Sequence, residues 1–581
     1  MFIIVQHLIF HLINMTDQTS KVPDWAAKAA VSDLKSKLSR LENELPVIHL
    51  SQSSFANGTY RIQTSARYVL TEDIRFNPNP STYENDRLVG YDWMPTPEQI
   101  SSGKYPVAPA GPYHMGFFAA ITIETNNVII DLNGFTLEQH MEHYIQQRFF
   151  SIIELAASPF IHGQGPSDFG PFRGHKNIKI HNGTLGLSSH QSIHGNGTEG
   201  LVLEDLTCYD YEQACVQVNG GSLISMDNIQ IERNSQDALV RATYSQGRFI
   251  RSFLRRIIAA EDPIINVNGT DLTGSQILSD LESEMDGVYN DIINLKKKPD
   301  SELFRNPDPL NTCDGSVYGI VLNKLGAAVG AFITSSTHEA NRLICLKNIS
   351  ICGLNSDPVE IPALCVPEDH NKAQRGPVGD VLRIMECTGV DGQYVPDVLS
   401  NAQLYWNKHA ALIGTTAHAS PGIYNDWASG NRTINDVMDR ENICYMYGRD
   451  AMSHIMKGNI GIFLSGTSAA TLENISMRGI SNRGAFSKGN DHKSYEGNRT
   501  RGFAITACKS LDFTNVSAMS LSSTTADVYG MDFIHPCSDI CLSTCSSIDL
   551  NPALFVKSPE HQGHCDAIRG KSLVTNLVVK N

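Results

Sequence analysis

Apolar and polar residues alternate along residues 177–240 in one short phrase that occurs three times: NIKIHNGTLGLSSHQSI, GLVLEDLTCYDYEQACVQV and SLISMDNIQIERNSQDALV. Each copy opens on alternating apolar positions (Ile178 and Ile180; Leu201 and Leu203; Leu223, Ile224 and Met226). A polar turn pair follows (His181-Asn182, Glu204-Asp205, Asp227-Asn228), then a second alternating run. Period-2 alternation marks strands with one face inside. A strand-built repeat of about 20–30 residues predicts a solenoid, because one rung has too little apolar surface to stand alone and stacked rungs share a continuous core. The order strand, Asn/Asp turn, strand favours this over an antiparallel sandwich.

The same reading divides the chain. Residues 1–22 are an N-terminal apolar extension, in which MFIIVQHLIFHLIN lacks a basic start and a cleavage site and Met15 is an alternative first residue. Residues 23–46 form a helix, with Ala27, Val31, Leu34, Leu38, Leu41 and Leu45 at spacings of three and four. Such a seam serves either a helix lying on its own body or an oligomerisation stalk, most simply a homotrimer through residues 23–45. Residues 47–118 are an N-terminal cap followed by a Pro-, Gly- and aromatic-rich loop, in which Trp93 offers a sugar-stacking surface. Rungs occupy 119–274. Residues 275–316 are a helical and Pro-rich insertion, the helix near 275–298 marked by Ile277, Leu281, Met285, Val288, Ile292 and Leu295. Rungs resume over 317–581, with a long loop at 355–440 and a C-terminal cap that SLVTNLVVKN closes. The expected fold class is all-β, a right-handed parallel β-helix with an N-terminal helix and one helical insertion.

Charge and cysteine narrow the partners. A net charge of −15 argues against nucleic acid and against an anionic membrane surface. No segment is a transmembrane candidate. Thirteen cysteines show no paired framework. Cys537, Cys541 and Cys545 fall four apart without a completing His pair, so stacked inward thiols are favoured over zinc, and no metal or cofactor is expected. Asn-x-Ser/Thr sequons at Asn182, Asn196, Asn268, Asn348 and Asn474 coincide with turn positions and do not establish secretion.

The phrases NNVIIDLNGFTLE, KNIKIHNGTL and GLVLEDLTC resemble the right-handed parallel β-helix of the pectin-lyase-like superfamily, over most of residues 47–580. The segment GTYRIQTSARYVLTEDIRF is similar to the cap and first rung of β-helix proteins of large DNA viruses of algae and protists. This resemblance implies the fold. The superfamily spans pectate and alginate lyases, polygalacturonases, mannuronan epimerases, virion fibres and adhesins, so fold does not choose an activity. The catalytic phrases of its polygalacturonases, epimerases and pectate lyases are absent: Asn234-Ser235-Gln236-Asp237 and Arg375-Gly376-Pro377 are loose echoes only.

What remains is a wall ladder. Aligning the copies places His190, Glu212 and Gln236 in one column, at intervals of 22 and 24 residues, with Gln191, Gln213 and Asp237 beside them. His190, Glu212 and Asp237 are the candidate acid–base set. Trp93, Arg233 and Arg241 are the candidate binding residues, the arginines offsetting charge on a uronate. A solvated structural ladder is the plain alternative. Histidines 114, 140, 143, 162 and 175 are expected in loops and at the surface. The expected function is a virion-surface or extracellular glycan-contacting protein of fibre or adhesin type, oligomeric, with a polysaccharide or surface glycan as partner. A polysaccharide lyase, hydrolase or epimerase is the first alternative, and a purely structural capsid or wall protein the second.

Overall fold

The structure, a computed structural model, describes residues 24–80, 117–146, 150–155, 174–233, 317–324, 341–354, 458–482, 499–523, 527–551 and 565–580, with short pieces between 82 and 99, between 262 and 279, and at 487–488 and 495–496. Strands fall into one 15-stranded and one ten-stranded sheet whose pairings are parallel. Three small antiparallel hairpins stand apart from them. The fold is a parallel β-helix.

Each coil has three legs, as residues 199–219 illustrate. The long strand Glu199–Tyr209 supplies the first two, bent at Asp205, and Ala214–Asn219 supplies the third. Side chains at equivalent positions stack. On the first leg one inward column runs Ile178, Leu201, Ile224, Ile344, Ala470, Leu511, Ile540 and Leu577. On the third leg another runs Ile153, Ile193, Val216, Ile320, Ile462, Phe503, Met531 and Ile568. These columns belong to one hydrophobic core, closed to water except toward its last coil. The register step within the three sequence copies is 23 residues, Ile178 to Leu201 to Ile224.

Several boundaries differ from expectation. Coiling begins before Ala119: Val47–Leu50 already pairs with Arg67–Leu70, and Tyr60–Ile62 with Ala119–Ile123. Ile264–Val267 and Thr270–Thr273 form an antiparallel hairpin outside the coil. Nearly all of the expected helix at 275–298, and the whole of 355–440, lie outside the described residues. The closing strand Val574–Lys580 does pair with Cys537–Ser543, and it leaves Val578 and Val579 exposed. The nine described cysteines are free, with Cys208, Cys215, Cys508 and Cys537 buried. His143 is buried instead of surface-exposed, packed edge-on against Phe76 and Phe150 and bonded to Gln139 at 2.7 Å.

The N-terminal helix, Asp24–Glu44, lies along the outer face of the first legs. Leu34 and Leu38 pack on Val202, with Leu41 and Leu223 beside them. Lys35 reaches Glu204 at 2.9 Å and Asp227 at 3.4 Å, and Lys28 reaches Glu473 at 3.6 Å. Burial lowers the Lys35 pKa, but these carboxylates outweigh it and hold the ammonium above its ordinary range. Val31, Leu34 and Leu38 are therefore spent within the chain and are not free to join copies.

Candidate functional site

The corner between the second and third legs is where the coil is least regular. The short helix Met141–Gln146 fills it in one coil. Chain segments 233–316 and 353–457 leave and return there, between the end of one second leg and the start of the next third leg. A cleft of about 320 Å³ opens at this corner, lined by Arg75, Glu138, Gln139, His140, Met141, Leu187, Tyr209 and Asp210.

Its polar wall is built by stacking. Arg75 and Glu138 are partners on neighbouring strands, and Arg75 Nε donates to Glu138 Oε1 at 2.8 Å. Tyr209 Oη donates to Glu138 Oε2 at 2.6 Å although a whole coil separates them. The intervening position is Gly186: a Cβ there would lie 2.6 Å from Tyr209 Oη and 2.7 Å from Glu138 Cβ. Glycine is required because any side chain would occupy the path of the phenol. Burial, and then the bond to Glu138, push the Tyr209 hydroxyl well above its ordinary range, so it remains a donor at neutral pH. Burial lowers the His140 pKa, against the pull of Glu142, so its imidazole is neutral there. Met141 and Leu187 supply the apolar part of the lining.

The expected wall residues border this corner, with one correction. Ser188 pairs with Tyr211 and Gln191 with Ala214, a step of 23, so Gln213 is level with His190 and Glu212 falls one residue earlier. The Gln213 amide donates to the His190 carbonyl at 2.8 Å. His190 is buried and Glu212 half-buried. Arg233 is also buried, its Nε donating to the Tyr211 carbonyl at 2.6 Å, which commits part of its guanidinium to the backbone. Asp237, Trp93 and Arg241 lie outside the described residues.

A second polar cluster escaped the sequence reading. On the outward face of the third legs, Glu154 Oε2 and His194 Nδ1 are 2.7 Å apart, each 1% exposed. Asn219 bonds Asn196 at 2.9 Å, and Gln191 Nε2 donates to Gln217 at 2.8 Å and Gln213 at 2.9 Å. Arg61 grips Glu124 with two bonds of 2.6 Å. Glu154 and His194 are 40 residues apart, so a 23-residue step does not bring them together; aligning SIIE on QSIH would have. This face is closed to solvent and cannot meet a polymer directly. The cleft combines access with converging polar groups.

No family model matches the chain, and no curated protein matches it. Solved structures similar to it include the mannuronan C-5 epimerase AlgE6 A-module of Azotobacter vinelandii, with 7% identity and a TM-score of 0.25 over 96% of this chain and 95% of that one. The surface protein and adhesin PfbA of Streptococcus pneumoniae matches at 8% identity and 0.19, over 95% and 96%. Tailspike protein 3 of bacteriophage CBA120 matches at 6% and 0.16, over 97% and 58%. At these values none carries an argument about function, and the fold class follows from the chain's own parallel ladder.

Proposed function

We propose that this protein is a glycan-contacting β-helix of fibre or adhesin type, acting outside a cell or on a virion surface, and that its ligand binds at the corner between the second and third legs. The observation that carries this reading is the Arg75–Glu138–Tyr209 wall facing Met141 and Leu187 in one cleft. A sugar ring presents hydroxyls at its rim and C–H groups on its faces, and a pocket of a few hundred Å³ with an apolar part and a few fixed polar groups matches it. Half-buried Glu212 is proposed as a contact along the same corner, with His190 and Arg233 buried beneath it, and Trp93, Asp237 and Arg241 are proposed as further contacts. The helix seam is occupied, so assembly as a homotrimer needs a surface other than residues 23–45.

Glycan-array binding followed by titration tests the reading. Tyr209→Phe and Glu138→Gln are expected to weaken the best ligand at least tenfold with no product released. Gly186→Ala is expected to do the same by blocking the Tyr209 path. Unchanged binding in all three would remove the cleft from the account. Two carboxylates, Glu138 and Asp210, line the cleft, which favours a polysaccharide-modifying enzyme as the second reading. New reducing ends or unsaturated products, lost in Glu138→Gln or Asp210→Asn, would establish that reading instead.

A further inference from the structure

Where the N-terminal helix crosses the early coils, three side chains of metal-binding type converge. Glu42 on the helix, and Asp131 and His181 on adjoining strands, bring one donor atom each within 4.8 Å of one another. Asp131 and His181 are register partners, so the ladder itself places them side by side. His181 Nε2 is buried and makes no hydrogen bond, although Glu42 Oε1 lies 3.1 Å away. With the ring proton on Nδ1, the Nε2 lone pair and the Glu42 carboxylate oxygen point at one place that a cation can occupy.

The surroundings orient the three donors. Asp131 Oδ1 accepts from the Asn133 amide at 2.8 Å and from Asn182 at 3.0 Å, and Oδ2 accepts from Arg67 at 2.7 Å. Glu42 Oε2 holds Lys179 at 2.9 Å, which turns Oε1 toward His181. Such outer contacts fix ligand geometry, and Asp131 Oδ2, with one hydrogen bond, keeps a second lone pair. Around the point Glu42, Asp131, Glu204 and Asp227 outnumber Arg67, Lys35 and Lys179 by one charge, so the local balance is negative.

We propose that Glu42, Asp131 and His181 bind one divalent transition-metal ion that fastens the N-terminal helix to the coil. One imidazole and two carboxylates suit an ion of the zinc or manganese class, with water completing the shell. The donors come from three separate parts of the chain, so the ion ties the helix down without taking part in the glycan cleft.

The full chain, stripped with a chelator and dialysed against Zn²⁺, is expected to retain one ion that His181→Ala and Glu42→Gln each lose, while Glu204→Gln keeps it. Thirteen cysteines offer competing sulfur ligands, so Co²⁺ loading supplies the second readout: visible bands of nitrogen and oxygen coordination without thiolate charge transfer. Tryptic cutting within residues 24–44 is expected to slow at least tenfold on adding Zn²⁺. Because the wild-type chain is itself read by cobalt, poor folding of a variant does not shelter the proposal. No retained ion, thiolate-type bands, or equal retention in His181→Ala overturns it, and none of these outcomes bears on glycan binding.

Discussion

One residue per coil turns the corner between the first and second legs, and it does so in the left-handed region. Asn182, Asp205, Asn228, Asn348, Asn474 and Asn515 have φ between 51° and 61°. An L-residue pays roughly 1–2 kcal/mol for this conformation, and Asn and Asp tolerate it because their short side chains find nearby partners. Here the partners are one another: Asn228 bonds Asp205 at 2.7 Å, Asn474 bonds Asn348 at 3.1 Å and Asn515 bonds Asn474 at 2.9 Å. Asn474→Ala should cost about 1–2 kcal/mol, while Asn474→Gly should cost less because glycine takes φ > 0 freely and loses only the ladder. Thermal melts of the two variants check this, and equal losses would mean that backbone strain contributes little. These turn residues are legible in the sequence, and 182, 205 and 228 already show the 23-residue step. The other corner has no such marker. There the sequence reading set Glu212 over His190, one residue out of phase, and nothing in local composition announces that Gly186 leaves room for Tyr209 to reach Glu138.

A spacing of three and four fixes which face of the N-terminal helix is apolar and says nothing about what covers that face. A seam for copies of the chain and a strip for the chain's own sheet have the same pattern. The structure chooses the second, because Val202 and Leu223 project from the first legs at the heights of Leu34, Leu38 and Leu41. Leu38 is 1% exposed. Leu38→Asp puts an unpaired charge into that contact and should release the helix, raising tryptic cleavage within residues 24–44 at least tenfold while the far-UV strand signal stays unchanged. A helix that remains protected in this variant would show that the ion pairs of Lys28, Lys35 and Glu42 suffice to hold it. The segment 47–76, expected as an N-terminal cap similar to a cap and first rung, pairs in register with the strands that follow and continues the ladder.

The molecule as a whole has two partly open ends and one unbroken corner. Phe55, on the turn Gln52–Phe55, is buried in the core near the first end while Val47 beside it is exposed, and Ile548, Leu573, Val578 and Val579 are exposed at the last. The departures of 233–316 and 353–457 share one corner, and 156–173 and 325–340 leave where a third leg passes to the next first leg, so among the described residues the corner between the first and second legs is the one that stays tight. Alternation and turns made the stacked architecture readable; where the ligand cleft opens depends on side chains from different coils and on a missing one, which no single phrase records. The constant step has a further meaning for how such a molecule changes size. Residues 200–222 are one whole storey, and their excision joins Glu199 to Leu223 in the same phase, since Glu199 and Ser222 occupy equivalent places. The shortened chain should fold, lose about 4.8 Å of height and give small-angle scattering of the same cross-section, whereas a loss of one residue more would turn the side chains of the joined strand to the wrong face.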